Sequence, residues 1–320
     1  MILKVERLSM LSRRSVRIKV MQLLYSINRD EELTKDQLVK EYWKRIEETY
    51  QMLLFNLFMI ENICKVSAED YEKRKSKHLP SEQDKLFTAF LWENPIIQFL
   101  AKNNKIHKVY EKMGFSIKVD KDHFSTIYYE FSKQNIFQQL IGKSLSRDEM
   151  VELLLELYRF CRSNEIFNEI VEDHYANWDS DKSLVVGSVK KILKQLPDAE
   201  DNFYEAYYPE IEATKDYGEF LLLRTFGEDF VLLDLIKPVL KNWDSERVAV
   251  IDMIILKMAV AELMYCTTIP PKVTLNEFVD VAKDYSTSKS KEFINGVLDK
   301  LLDNLNKGGK IKKEGRGLVD

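Results

Sequence analysis

Glycine and proline are scarce in this chain, 10 and 7 among 320 residues. Sandwiches and barrels need a turn residue every few positions, so the shortage argues against them and for helices. Cysteine is scarcer still. Cys64, Cys161 and Cys266 stand far apart in apolar helical patterns, and their spacing fits neither a disulfide framework nor a zinc motif. They read as buried free thiols in a reducing compartment. No run of about 18 uninterrupted apolar residues exists, so no helical membrane span is expected. The N-terminus lacks the apolar core and small-residue cleavage site of a signal peptide, and the expected location is the cytoplasm. The histidines are scattered, and in Glu172-Asp173-His174 neighbouring side chains would point apart on a helix. No metal is expected. There is no phosphate loop, no dinucleotide fingerprint, no His-Glu-x-x-His and no serine or cysteine nucleophile motif. The pattern predicts no catalytic set and no cofactor: a protein that binds, not an enzyme.

Charge is plentiful but uneven. The net charge is −4. Residues 1–29 carry Lys4, Arg7, Arg13, Arg14, Arg17, Lys19 and Arg29 against Glu6, a balance of +6. Residues 307–320 carry +3, which leaves −13 for the body between. An acidic body with basic ends argues against a protein that coats any nucleic acid and fits a confined polyanion site. The basic tail reads as disordered.

Ser12 is a candidate cap for an Arg-rich helix over 12–28. Val16, Val20, Leu23, Leu24 and Ile27 share its apolar face; Arg14, Met21 and Tyr25 line the other side, with Arg17 beside them. Such a stripe can meet RNA phosphates and stack a base. It can equally be the solvated side of an amphipathic helix, and pattern alone favours that. From 31 to 209 the chain is helical in character. A long helix is expected over 36–66, then a charged loop or frayed end over 65–81. Asn94-Pro95 starts a helix, 114–122 is a break, and 123–141 is helical. Ser146 with Glu149 has capping-box spacing before a helix ending near Cys161. A turn at 177–179 opens a helix that Leu196-Pro197 ends. Two helices follow, about 211–225 and 227–241, the second bent by Pro238. Asn242-Trp243-Asp244-Ser245 turns the chain into an almost wholly apolar helix, Val248 to Tyr265, expected to be the central buried one. Asp252, Lys257 and Glu262 interrupt it. They are five apart and so on different faces, which argues against a catalytic pair. Asp252 is expected to reach solvent or a partner, and Glu262 to hold a neighbouring helix terminus.

Near the C-terminus, Pro270-Pro271 ends that helix. Thr274 and Glu277 have capping-box spacing for the next, with Leu275, Phe278, Val279 and Ala282 inward. Ser286-Thr287-Ser288 breaks it and offers a cap for the last helix. Asn295-Gly296 lies inside that last helix, where glycine costs about 1 kcal/mol against alanine; it reads as a tight helix crossing.

The ordered set Ala261-Glu262-Leu263-Met264-Tyr265, Pro271-Lys272-Val273-Thr274-Leu275-Asn276-Glu277 and Lys291-Glu292-Phe293-Ile294-Asn295-Gly296-Val297-Leu298-Asp299-Lys300 resembles the C-terminal signature of the NusB family of transcription antitermination factors. Arg13-Arg14-Ser15-Val16-Arg17 followed by Gln22-Leu23-Leu24-Tyr25 is similar to that family's Arg-rich first helix. The resemblance implies an all-α fold of two helical bundles. The expected organisation is an N-terminal bundle over 1–242, made of helix 12–28, an insertion over about 31–209 and helices over 211–242. A C-terminal bundle over 243–306 and the tail 307–320 complete it. The resemblance also implies pairing with the ribosomal protein NusE, binding of single-stranded boxA RNA and work in the RNA polymerase antitermination complex on ribosomal RNA operons. On that reading Arg13, Arg14 and Arg17 hold phosphates, Tyr25 and Phe293 contact bases or NusE, and Lys283 and Lys289 extend the basic surface. Lys289 departs from the family, where that position is often acidic. Asp252 and Lys272 are candidates for the partner face. Some relatives form dimers that cover the RNA surface, so a homodimer stays open. So do an assembly or rRNA-processing module without RNA affinity and a helper of a separate rRNA methyltransferase.

Overall fold

A computed structural model describes residues 10–28, 34–240, 248–287 and 289–318 of the protein. Among them it is all-α, with no strand. In chain order the helices are α1 (Arg13–Ile27), α2 (Lys35–Lys75), α3 (Glu82–Leu86), α4 (Pro95–Lys102), α5 (Asn104–Lys112), α6 (Phe115–Lys118), α7 (Lys121–Ser132), α8 (Asn135–Gln138), α9 (Arg147–Ser163), α10 (Glu165–His174), α11 (Trp178–Gln195), α12 (Phe220–Gly227), α13 (Asp229–Ile236), α14 (Val250–Tyr265), α15 (Pro271–Tyr285) and α16 (Ser290–Lys307). A π-helix, Glu212–Glu219, runs straight into α12.

The chain forms two compact units. The expected organisation placed the insertion in one bundle over 1–242, with a boundary at 242/243 that lies outside the described residues. The compact units divide otherwise, because the insertion closes a core of its own. Its unit, Glu47–Tyr208 with Met10, is built on the middle of α2. There Met52, Leu53, Leu54 and Phe55 are all buried although consecutive, which a helix allows only when it is surrounded. Phe115, Tyr158, Phe167, Trp178 and Val189 come from the helices around it. Two cap signals work as expected here, whereas the break expected over 114–122 holds α6 and the helix expected over 123–141 stops at Ser132. Asn94 caps α4 with Pro95 in the first turn, and Ser146 and Glu149 exchange both capping-box bonds. The expected loop over 65–81 is corrected: α2 continues to Lys75. Arg74 bonds Asp70 one turn back at 2.9 Å and Asp84 at 3.3 Å, and lies over the Phe87 ring. Charge density there marks ion pairs, not fraying.

The second unit comprises 11–46 and 209–320. α14 is its centre, with Ile255, Leu256, Met258, Ala259, Val260, Ala261 and Leu263 fully covered. α1, α12, α13, α15 and α16 all pack on it. The expected helix over 211–225 is a π-helix followed by α12. The expected helix over 227–241 ends at Ile236, and Lys237–Leu240 tightens into a 3₁₀ turn at Pro238. The turn expected at 242–245 lies outside the described residues.

Two C-terminal expectations are overturned. The tail is not disordered over 308–318. Lys313 extends its ammonium to the carbonyls of Glu262 and Cys266 at 3.4 and 3.0 Å, at the C-terminal, partially negative end of α14. Burial pulls its pKa below the ordinary lysine value. The Glu314 amide donates to the Thr267 carbonyl, and Gly317 is buried against that same carbonyl. Gly296 is not at a helix crossing either. It is exposed, and a Cβ built there would meet nothing within 4 Å. Asn295 turns to Asp299 on its own helix at 3.3 Å. Replacing Gly296 by alanine should therefore stabilise this unit by about 1 kcal/mol. A thermal melt showing a lower midpoint would contradict the open surface.

Candidate functional site

The Ser12 hydroxyl accepts the Ser15 amide at 3.2 Å and starts α1 at Arg13. Val16, Val20, Leu23 and Leu24 are buried as expected. Met21 and Lys19 are buried too, so the outward face is narrower than the expected stripe. What remains outward includes Arg13, Arg14 and Tyr25.

Arg17 does not face outward; it is 2% exposed. Its Nε and Nη2 donate to the two oxygens of Glu262 at 2.8 and 2.9 Å, and Nη1 donates to Glu277 at 3.3 Å. The Tyr217 hydroxyl and the Thr274 hydroxyl, the latter at 2.8 Å, also donate to Glu262. Burial works against the Arg17 charge, but the hydrogen bonds and charge of Glu262 outweigh it and hold its pKa above the ordinary value. The expected phosphate role of Arg17 is thereby corrected: its donors are spent on two carboxylates inside the fold. Glu262, expected to hold a neighbouring helix terminus, is instead the acceptor at the centre of this network. Thr274 and Glu277 are not a capping box. Pro271 occupies the first turn of α15 and needs no amide partner there, so both residues fall inside the helix, Thr274 bonded to Glu262 on α14 and Glu277 to Arg17 on α1.

Arg14 and Arg13 are half-exposed and also paired. Arg14 donates to Asp280 at 2.9 Å and Asp284 at 3.3 Å on α15, and Arg13 to Glu212 at 2.9 Å. The three arginines thus meet carboxylates within the fold, which the sequence reading did not anticipate. The partners lie roughly 200 or more positions away, so no local signal announces them.

The free cations lie elsewhere. Lys283 near the end of α15, Lys289 capping α16, Lys291 in its first turn and Lys272 at the start of α15 are exposed and make no ion pair among the described residues. Phe293, partly exposed, follows one turn into α16. A buried hydroxyl knot holds this turn. Ser290, 2% exposed, donates to Asp252 Oδ2 at 2.8 Å, and the Thr287 and Ser286 hydroxyls stand 2.8 and 2.9 Å from its oxygen. One hydroxyl has one hydrogen and two lone pairs, so donating to the carboxylate leaves it free to accept from both neighbours. This corrects two expectations. Asp252 is 5% exposed and does not reach solvent or a partner. Ser286 and Thr287 anchor the turn to α14, and Lys289 takes the cap position; Ser288 lies outside the described residues.

Tyr25 is 55% exposed, but it is not part of that turn. Arg14 meets Asp280 and Asp284 while Arg17 meets Glu277, so α1 runs antiparallel to α15. Eleven residues separate Arg14 from Tyr25, roughly 16 Å along a helix at 1.5 Å per residue. Tyr25 therefore lies away from the end of α15 that carries Lys283. Among the described residues no group of three or more histidine, cysteine or carboxylate side chains is placed to hold a metal ion. No helix there is long and apolar enough to cross a membrane.

A profile of the NusB family matches residues 190–303. The chain is 46% identical over 79 residues to the transcription antitermination protein NusB of Chloroherpeton thalassium, covering 25% of this chain and 37% of that protein. It is 38% identical over 107 residues to the one from Salinibacter ruber (33% of this chain, 67% of the relative) and 38% over 94 residues to the one from Bacillus thuringiensis (29% and 72%). The match thus spans little more than a third of the Chloroherpeton relative's length. No solved structure matches the chain.

Proposed function

The chain belongs to the NusB family, and we propose that it is a transcription antitermination factor that binds single-stranded RNA of the boxA type together with the ribosomal protein NusE. The reading extends to the RNA polymerase antitermination complex as the setting. The observation that carries it is the turn between α15 and α16. Lys283, Lys289 and Lys291 stand unpaired around it, Phe293 is within reach, and a buried knot holds the backbone. Fixed lysines suit phosphates, and an aromatic edge beside them suits an unstacked base. The phosphate contacts assigned to α1 pass to these lysines, with Arg13 and Arg14 as secondary contributors because each must first leave a carboxylate. Tyr25, remote from the turn on α1, is the better candidate for the protein partner, with Lys272.

Titration of a boxA oligonucleotide at two salt concentrations, with and without NusE, tests the reading. Changing Lys283, Lys289 and Lys291 together to alanine should flatten the dependence of log affinity on log salt by about 2, at roughly 0.7 per phosphate for a single strand. An unchanged slope would move the RNA away from this turn. Binding of NusE with no RNA affinity at either salt would leave an assembly module.

A further inference from the structure

We propose that Asp280 and Asp284 hold Arg14 in reserve and so set how strongly this face takes up RNA. The inference rests on the RNA-binding reading above. Of the three arginines, Arg17 cannot leave its carboxylates without stranding a buried charge, and Arg13 has one partner, Glu212, whose side chain is 76% exposed. Arg14 is the intermediate case. Its side chain is 39% exposed and each aspartate 49%, so all three groups can exchange partners with solvent or a ligand. The guanidinium is forked over two carboxylates one turn apart on α15, Nη1 to Asp280 and Nη2 to Asp284. Like charges four apart on a helix repel, and Arg14 relieves that repulsion by bridging them. The hydrogen bond to Asp280 foremost, with the charges of Glu277 and Asp280 and the bond to Asp284, holds the Arg14 pKa above its ordinary value against the opposing effect of burial.

Two consequences follow for a phosphate arriving beside Lys283, which lies between the two aspartates in sequence. It meets two negative charges as well as the lysine. To take Arg14 it must also leave those carboxylates facing each other and the RNA. Affinity is then lower than the number of cations suggests, and a ligand needs contacts beyond this one phosphate to bind firmly.

The test is the double variant Asp280→Asn, Asp284→Asn of the full chain, titrated with a single-stranded RNA oligonucleotide and with a scrambled one of equal length. Kd should fall roughly five- to tenfold, the scale of one or two exposed ion pairs. The salt dependence should steepen by about 0.7, one phosphate more. The gain should be equal for both oligonucleotides, since a phosphate contact carries no sequence information. In an Arg14→Gln background the steepening and most of the gain should vanish, leaving only the relief of repulsion at Lys283. Wild-type binding with no gain in the double variant overturns the inference and leaves the RNA reading standing. A gain and a steepening that survive Arg14→Gln undiminished assign them to overall charge and overturn the role of Arg14. No binding by either protein sinks both readings. Should the double variant fold poorly by circular dichroism, Asp284→Asn alone, at the longer contact, should give a smaller gain of the same kind, and no gain there overturns the inference equally.

Discussion

Arg17→Ala should destabilise the unit formed by 11–46 and 209–320 by about 3–5 kcal/mol, the range for removing one partner of a buried pair. Few single substitutions in the chain should cost more. The change strands Glu262, which is fully buried and has lost two of its donors. The Tyr217 and Thr274 hydroxyls would remain, but two neutral donors do not replace a forked cation. Arg17 also touches the faces of Tyr217 and Phe278, at 5.2 and 5.7 Å from guanidinium carbon to ring centre, so packing is lost as well. The measurement is urea unfolding followed by fluorescence of Trp43, which lies in this unit and bonds to Glu219. A second variant makes the argument specific. Arg17→Met with Glu262→Leu removes both charges and should recover much of the loss, because the desolvation of the pair goes with it. If Arg17→Ala left stability unchanged and abolished RNA binding instead, the residue would be a phosphate contact after all.

This result also marks where sequence reading succeeds and where it stops. Helix existence was legible from period and caps: Ser12, Asn94 and Ser146 each cap the helix their spacing predicts. The apolar run expected over 248–265 supplies the buried centre from Asp252 to Leu263, past an exposed start at Val250, because a helix apolar nearly all round has nowhere else to go. Side-chain destination was not legible. Arg13, Arg14 and Arg17 read alike in sequence, yet Glu212, Asp280 with Asp284, and Glu262 with Glu277 meet them from distant elements, and only Arg17 is buried. Thr274 and Glu277 show the same limit: three-residue spacing describes a capping box and the inside of a helix equally well. A proline earlier in the chain decides between them. Gly296 was misread for the opposite reason. Its cost inside a helix is real, but nothing within the fold explains it, whereas Gly218, which carries no sequence signal, is the glycine the packing demands.

Gly218→Ala should destabilise the same unit by about 3 kcal/mol or more, at or beyond the upper end for an overpacked core. Gly218 sits in the π-helix, where the wider turn brings its backbone against α1 and α2. A Cβ there would fall well inside the van der Waals contact of the Tyr42 hydroxyl and the Val16 Cγ1 methyl. Neither neighbour can yield cheaply. Tyr42 is fully buried and donates to the Thr214 carbonyl at 2.7 Å, a carbonyl in that same π-helix. Val16 is fully buried on α1, and its branched side chain has few rotamers to try. The clash would therefore be relieved by moving α1, and with it Arg17 and the Glu262 network. Relief can be engineered one contact at a time. Tyr42→Phe removes the clashing oxygen and Val16→Ala the clashing methyl, so each should cost stability alone and return part of it beside Gly218→Ala, a coupling read directly from a double-mutant cycle. Thermal midpoints that simply add, with no coupling to either neighbour, would mean that the π-helix does not bring these three residues together.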